Sequence, residues 1–219
     1  MPADLSDHPV FVSAQGIRLT AQDGRTFLDF ASGFHSANTR IIQAAVSEHL
    51  RANYLDNAES RFIDDLLTIL PSGVTHVHPT RDGSEATEVG LSVCMRYTGA
   101  KTFLAFKGGY HGATLGALAV SDSQRGQALM DISSPDAEFV DYPLVDDYSA
   151  ASVSAAVRAI TEREGDAAPL AGIIVEPIQA KAGLRIPPQT FLPTLARAAR
   201  STSIPLIVDE SFTGFGRTG

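Results

Sequence analysis

Hydrophobic and polar positions change period several times along the chain. In PVFVSAQGIRLTAQDGRTFLDF, residues 9–30, apolar residues alternate loosely, and Gly16 and the Gln22–Gly24 stretch mark turns. This predicts a small β-meander or hairpin. Residues 40–53 place Ile41, Ala44, Ala45, Val46 and His49 or Leu50 on one helical stripe, and residues 60–70 read as a second helix ended by Pro71 and Gly73. THVHP, residues 75–79, reads as a short strand. Then the pattern becomes regular. A loop at Asp82 opens a helix that runs to about residue 98, TFLAF (102–106) is a strand, and GGYHGATLGALAVS (108–121) is a glycine-rich turn into a small-residue apolar segment. AEFVDYP holds a strand, residues 149–164 a helix, LAGIIVEP a buried strand, 189–202 a helix and PLIVDE a last strand. Strands alternating with helices predict an α/β fold, a mostly parallel sheet reached through right-handed crossovers. Near-continuous apolar strands such as GIIV and LIV fit a sheet flanked by helices on both faces.

Composition narrows the class. The 219 residues are 44% hydrophobic and 19% charged, which suits a globular protein with a substantial core. A net charge of -8 argues against nucleic-acid and anionic-membrane partners. The single cysteine, Cys94, allows no internal disulfide, reads as a buried thiol and fits a reducing, cytoplasmic setting. The N-terminus lacks a basic start and apolar stretch, so no signal peptide is read there. No apolar run approaches the roughly 18–20 residues of a membrane span.

In a sheet of this kind ligands sit beyond the carboxyl ends of the strands. Asp209, Glu210 and Glu176 directly follow buried strands, Tyr110 and His111 follow TFLAF, and Gly83 and Ser84 precede a helix. DGSEATE is either an anion-holding helix N-terminus or an ordinary cap, with Ser84 capping and Thr87 or Glu88 closing a box. GGYHG offers Tyr110 as a stacking surface for a planar ring, or is a turn with a half-buried tyrosine. Asp209 is suited to a protonated ring nitrogen, or to bonding its own turn. His76 and His78 lack a third ligand in view, so no metal site is read.

Together, DGSEATE, GGYHGATLGALAVS, IIVEPIQAKAG and LIVDESFTGFGRTG, in this order, resemble the class III (omega/ornithine/GABA-type) aminotransferases, pyridoxal-phosphate enzymes of fold type I. The early GIRLTAQDGRTFLDFASG resembles their N-terminal segment, and the likeness runs from about Val10 to Gly219. The resemblance implies that Gly83 and Ser84 bind the phosphate of pyridoxal 5'-phosphate. Tyr110 would stack on its ring with His111 beside it, Asp209 would pair with the ring nitrogen, and Glu176 would lie near the cofactor. It implies residues 1–45 as part of a small domain and 46–219 as an incomplete cofactor-binding large domain. It also implies amino acid or amine and 2-oxo acid substrates, and a homodimer.

Several residues depart from that pattern. Where the family usually has DEVQTGFGRTG, Ser211 and Phe212 replace a valine that packs on the ring and a glutamine that reaches its oxygen. Lys181 replaces a glutamate that pairs with a gating arginine in several members. ASGFHSANTR, after Phe30, lacks the usual Gly-His-x-x-Pro turn. The family's catalytic lysine lies on a later strand–loop, and none of Lys101, Lys107 and Lys181 matches it. The chain is therefore expected to be the N-terminal part of such an enzyme, inactive alone and either truncated or completed by a second polypeptide. The alternative is a non-catalytic half-fold, a cofactor-binding or protein-interaction module. A third idea gives the cofactor's aldehyde to Lys181 itself.

Overall fold

The computed structural model describes residues 9, 11–15, 18–28, 57–122, 135–145, 150–162 and 169–218. The chain divides into two units, residues 1–77 and 78–219. The boundary expected at 45/46, the helix expected over 40–53 and the ASGFHSANTR segment lie outside the described residues.

In the first unit, β1 (Phe11–Gln15), β2 (Arg18–Ala21) and β3 (Thr26–Leu28) form an antiparallel meander in the order β1-β2-β3. The β1–β2 register slips between Phe11 and Ser13, and Gly24, at φ 86°, sits in the turn into β3. Helix α1 (Asn57–Ile69) follows, stopped before Pro71 as its sequence requires. The expected strand at THVHP is not one: residues 74–80 have no regular structure. Alternation alone does not make a strand, because its backbone groups need a ladder partner and no described strand provides one.

The second unit holds a four-stranded parallel sheet, order β5-β4-β6-β7. Its strands are β4 (Thr102–Phe106), β5 (Asp136–Val140), β6 (Leu170–Val175) and β7 (Leu206–Val208). Its helices are α2 (Gly83–Thr98), α3 (Leu115–Ala119), α4 (Ala150–Thr161) and α5 (Phe191–Ser201). All residues of β4 and β6 are buried, which explains their unbroken apolar runs. One face packs Leu104, Phe106, Ile173 and Val175 against Ala156 and Ile160 of α4 and Phe191, Leu195 and Ala198 of α5. The other packs Phe103, Ala105 and Ile174 against Leu91 and Cys94 of α2. The β4–β6 register shifts between Thr102 and Phe103, so Leu170 and Ile173 reach the same face despite their odd spacing.

Parallel pairing brings the carboxyl ends of β4, β6 and β7 to one edge. Phe106, Val175 and Val208 end their strands there, and the residues that follow them build the site.

Candidate functional site

The loop after β4 turns tightly. The Gly109 amide donates to the Phe106 carbonyl at 2.9 Å, with Gly108 at φ 81°. Asp122 ties the loop's start, its Oδ2 accepting from the Gly108 amide at 2.8 Å. Ser121 accepts from the His111 amide at 2.8 Å. Gly112, at φ 134°, lets the chain run onto the start of α2: a Cβ there would lie 2.6 Å from Ser84 Oγ. Beside it, the Ala113 amide donates to Ser84 Oγ at 3.2 Å, and the Thr87 hydroxyl donates to the His111 carbonyl at 2.8 Å.

Helix α2 begins one residue after its cap. Asp82 accepts from the Glu85 amide at 2.9 Å, and Glu85 accepts from the Arg81 amide at 2.7 Å. The cap is therefore Asp82, not Ser84, and the returning carboxylate is Glu85, not Glu88. Glu88 instead accepts from the Gly116 amide of α3 at 2.8 Å. Moving the cap to Asp82 releases the Ser84 hydroxyl from that duty. The Gly83 and Ser84 amides donate to no other described residue, so the helix start keeps the open N–H groups that suit an anion.

Asp209 follows β7, and its amide donates to the Val175 carbonyl at 2.8 Å. Its Oδ2 lies 2.8 Å from His111 Nδ1, with the two side chains 11% and 1% exposed. With Asp209 ionised, this bond requires the proton on Nδ1. Oδ1 accepts from the Ser211 amide at 3.0 Å and from the Ser211 hydroxyl at 2.6 Å. Burial acts to raise the Asp209 carboxyl, but the hydrogen bonds of His111 and Ser211 outweigh it and hold the group below the usual aspartate range. An ionised carboxylate has about four acceptor positions; three are taken, and one on Oδ2 is open.

Glu176 follows β6. Its Oε2 accepts from the Tyr110 amide at 3.0 Å, while Oε1 is buried with no partner among the described residues. Burial, helped by the Asp209 charge, holds Glu176 above the usual range against the Tyr110 bond and the His111 ring. The Tyr142 hydroxyl donates to the Glu176 and Pro177 carbonyls at 3.1 and 3.0 Å.

Lys181 Nζ rests 3.4 Å from the centroid of the Tyr110 ring, a cation–π contact. Gln179 is buried and joins two loops: its Nε2 donates to the Lys107 carbonyl at 3.0 Å, and its Oε1 accepts from Arg185 at 3.2 Å.

Of the residues singled out from the sequence, His111, Asp209 and Ser211 form one hydrogen-bonded group and Tyr110 and Glu176 a second, the two joined where Tyr110 precedes His111 in the chain. Gly83 and Ser84 adjoin the first: a Cβ on Gly83 would lie 3.0 Å from Ser211 Oγ. Phe212 is half-buried in the turn after Ser211, while His76 and His78 lie in irregular backbone. Sequence reasoning missed Ser121, Asp122, Gln179 and Arg185, and it read Thr87 as closing a capping box where its hydroxyl instead reaches the His111 carbonyl. Thr87 falls one helical turn after Gly83, on the same face.

The family model described as "Aminotransferase class-III" matches residues 3–219. The adenosylmethionine-8-amino-7-oxononanoate aminotransferase of Synechococcus elongatus is 35% identical over 99% of this chain and 55% of its own length. The acetylornithine aminotransferase of Methanopyrus kandleri is 29% identical over 95% of this chain and 52% of its own. Among solved structures, the adenosylmethionine-8-amino-7-oxononanoate aminotransferase from Methanocaldococcus jannaschii superposes with a TM-score of 0.83 at 23% identity, covering 97% of this chain and 51% of that one. The chain thus spans about half the length of the relatives it matches. With the motif order, the parallel sheet and the family match over residues 3–219 all in agreement, the chain belongs to the class-III aminotransferases.

Proposed function

We propose that this chain supplies the cofactor-holding part of a pyridoxal-phosphate-dependent aminotransferase that moves an amino group between an amino acid or amine and a 2-oxo acid. One observation carries the reading: Asp209 stands at the carboxyl end of β7 with a single open acceptor position, next to a helix start with open N–H groups. Those two ends suit a cationic ring nitrogen and a phosphate, so the residues fit the cofactor. When bound, pyridoxal phosphate supplies an electron sink for bonds to the substrate's amino-bearing carbon. The Gly83 and Ser84 amides would hold its phosphate, Tyr110 would give it a flat surface, and Asp209 would keep a proton on the ring nitrogen. His111 holds Asp209 in place, and Glu176 lies in reach of the same region. Ser211 and Phe212 occupy the ring-facing turn.

None of the three lysines is arranged as a buried base. Lys101 pairs with Asp136 at 3.2 Å, Lys107 with Asp141 at 2.9 Å, and Lys181 lies on Tyr110. We infer that the 219 residues alone do not transaminate and that turnover requires a lysine from a further segment or second polypeptide. A homodimer, a cytoplasmic setting and the assignment of residues 1–45 to a small domain belong to the same reading. A second reading, a binding or interaction module without turnover, is favoured by the Lys181 ammonium resting on the ring of Tyr110, the side chain expected to stack on the cofactor.

The test is titration of the purified chain with pyridoxal phosphate, followed by equilibrium dialysis and visible absorbance. Saturable binding that D209N weakens at least tenfold supports the cofactor reading. Binding unaffected by D209N, or no binding, overturns it. Turnover by the purified 219 residues overturns the need for another lysine.

A further inference from the structure

The two oxygens of Asp209 are held unequally. Oδ2 accepts one bond, from His111 Nδ1 at 2.8 Å. Oδ1 accepts two, both from Ser211: its amide at 3.0 Å and its hydroxyl at 2.6 Å. An amide bond at that distance comes from the backbone and survives any substitution that keeps the turn. The hydroxyl bond is specific to the side chain. Gly83 leaves that hydroxyl room, since a Cβ there would lie 3.0 Å from Ser211 Oγ. The ionisable groups facing the carboxylate are the His111 ring from the loop after β4 and Glu176 from the end of β6. Glu176 gives Asp209 no hydrogen bond, so Ser211 is the only side-chain hydroxyl or carboxyl among the described residues bonded to it. A short O–H···O⁻ bond stabilises the ionised form over the protonated form, and so makes the carboxylate a weaker base.

We propose that Ser211 is a positioning residue that sets the basicity of Asp209: its hydroxyl locks Oδ1 and leaves the open position on Oδ2 as the only place for a cationic N–H group. This rests on the reading of Asp209 as the partner of a protonated ring nitrogen. A less basic Asp209 holds that proton less firmly, so a bound pyridine ring loses it at lower pH than it would beside an apolar residue 211. Ser211 thus acts through Asp209, tuning how strongly the cofactor withdraws electrons.

The experiment is a ¹³C NMR titration of the aspartate carboxyls in the full chain, compared with S211A and S211T. The Asp209 signal is assigned by its loss in D209N. Asp209 in S211A is expected to bind its proton about three- to tenfold more tightly, the effect of one lost bond to a charged group partly replaced by water. S211T, which restores the hydroxyl, is expected to titrate like wild type. Superimposable curves for wild type and S211A overturn the proposal, as does S211T following S211A. Pyridoxal phosphate is then added to each variant and its absorbance followed against pH. A shifted Asp209 titration without cofactor binding leaves the Ser211 coupling standing and overturns the cofactor reading. Cofactor binding with an unmoved Asp209 titration overturns the coupling alone.

Discussion

Gly112 shows how one missing side chain builds the site. At φ 134° it adopts backbone that L-residues resist, and a Cβ there would meet Ser84 Oγ at 2.6 Å and Ala117 Cβ at 2.9 Å. G112A is expected to destabilise the chain by about 1–3 kcal/mol, from strain and overpacking together, and to lift the Tyr110–His111 loop off α2. Denaturant melts measure the first effect, and pyridoxal phosphate affinity the second. The two buried carboxyls have opposite pH signatures. Asp209 lies below its ordinary 3.8, so its stabilising share is complete above that value and is lost as pH falls through the lowered one. Glu176 lies above its ordinary 4.5, so the native state holds the extra proton and stability declines as pH rises from 4.5 through the raised value. E176Q keeps an acceptor for the Tyr110 amide and removes the buried charge. It is expected to melt no lower than wild type at pH 7, with the gap closing toward pH 4.5; a clearly lower melting temperature at pH 7 rejects this account of Glu176. The residues on the strand ends were legible in the sequence because a strand's end can be read from its apolar run. The roles of Thr87, Ser121 and Gln179 were not, although Thr87 itself was picked out as a cap candidate, because they are bonds to backbone groups of other segments, as far away as the 72 positions that separate Gln179 from Lys107.

The sheet depends on aromatic rings stacked edge to face where β4 ends and α5 begins. Phe106 lies 5.9 Å from Tyr142 and 5.4 Å from Phe191, with Tyr142 and Phe191 5.5 Å apart, all near perpendicular. Phe191 is fully buried, so F191A leaves a cavity beneath the strand end that carries the Gly108–His111 loop. It is expected to cost about 3–5 kcal/mol in chemical denaturation, and Tyr142, whose hydroxyl holds the Glu176 and Pro177 carbonyls, transmits the loss to the site. Most of this layer was readable in advance. TFLAF, LAGIIV and LIV are strands and the intervening helices are where periodicity put them, because burial on both faces leaves a distinctive composition. THVHP misled because alternation signals a strand only when another strand is available to pair with it. The α2 cap was misplaced by two residues because Asp82 and Ser84 are both good caps, and only the Glu85 amide's bond to Asp82, with the Glu85 return bond to Arg81, decides between them.

At the scale of the molecule, the chain carries a class-III aminotransferase sheet across about half the length of its relatives, with the candidate site gathered on one edge. That edge is made of loops, and loops ordinarily open one at a time with small local free energies. Here Gln179 ties two of them together. Its amide and Arg185 both grip the Lys107 carbonyl, directly before the glycine turn, and a backbone bridge closes Gln179 onto Arg185. The loop after β4 and the loop after β6 share one fastening. In hydrogen exchange, the amides of Gly109, Tyr110, Gln179 and Arg185 are therefore expected to share one opening free energy, and Q179A to accelerate all four together. Such an edge opens as a single cooperative patch, so a ligand that orders either loop orders both.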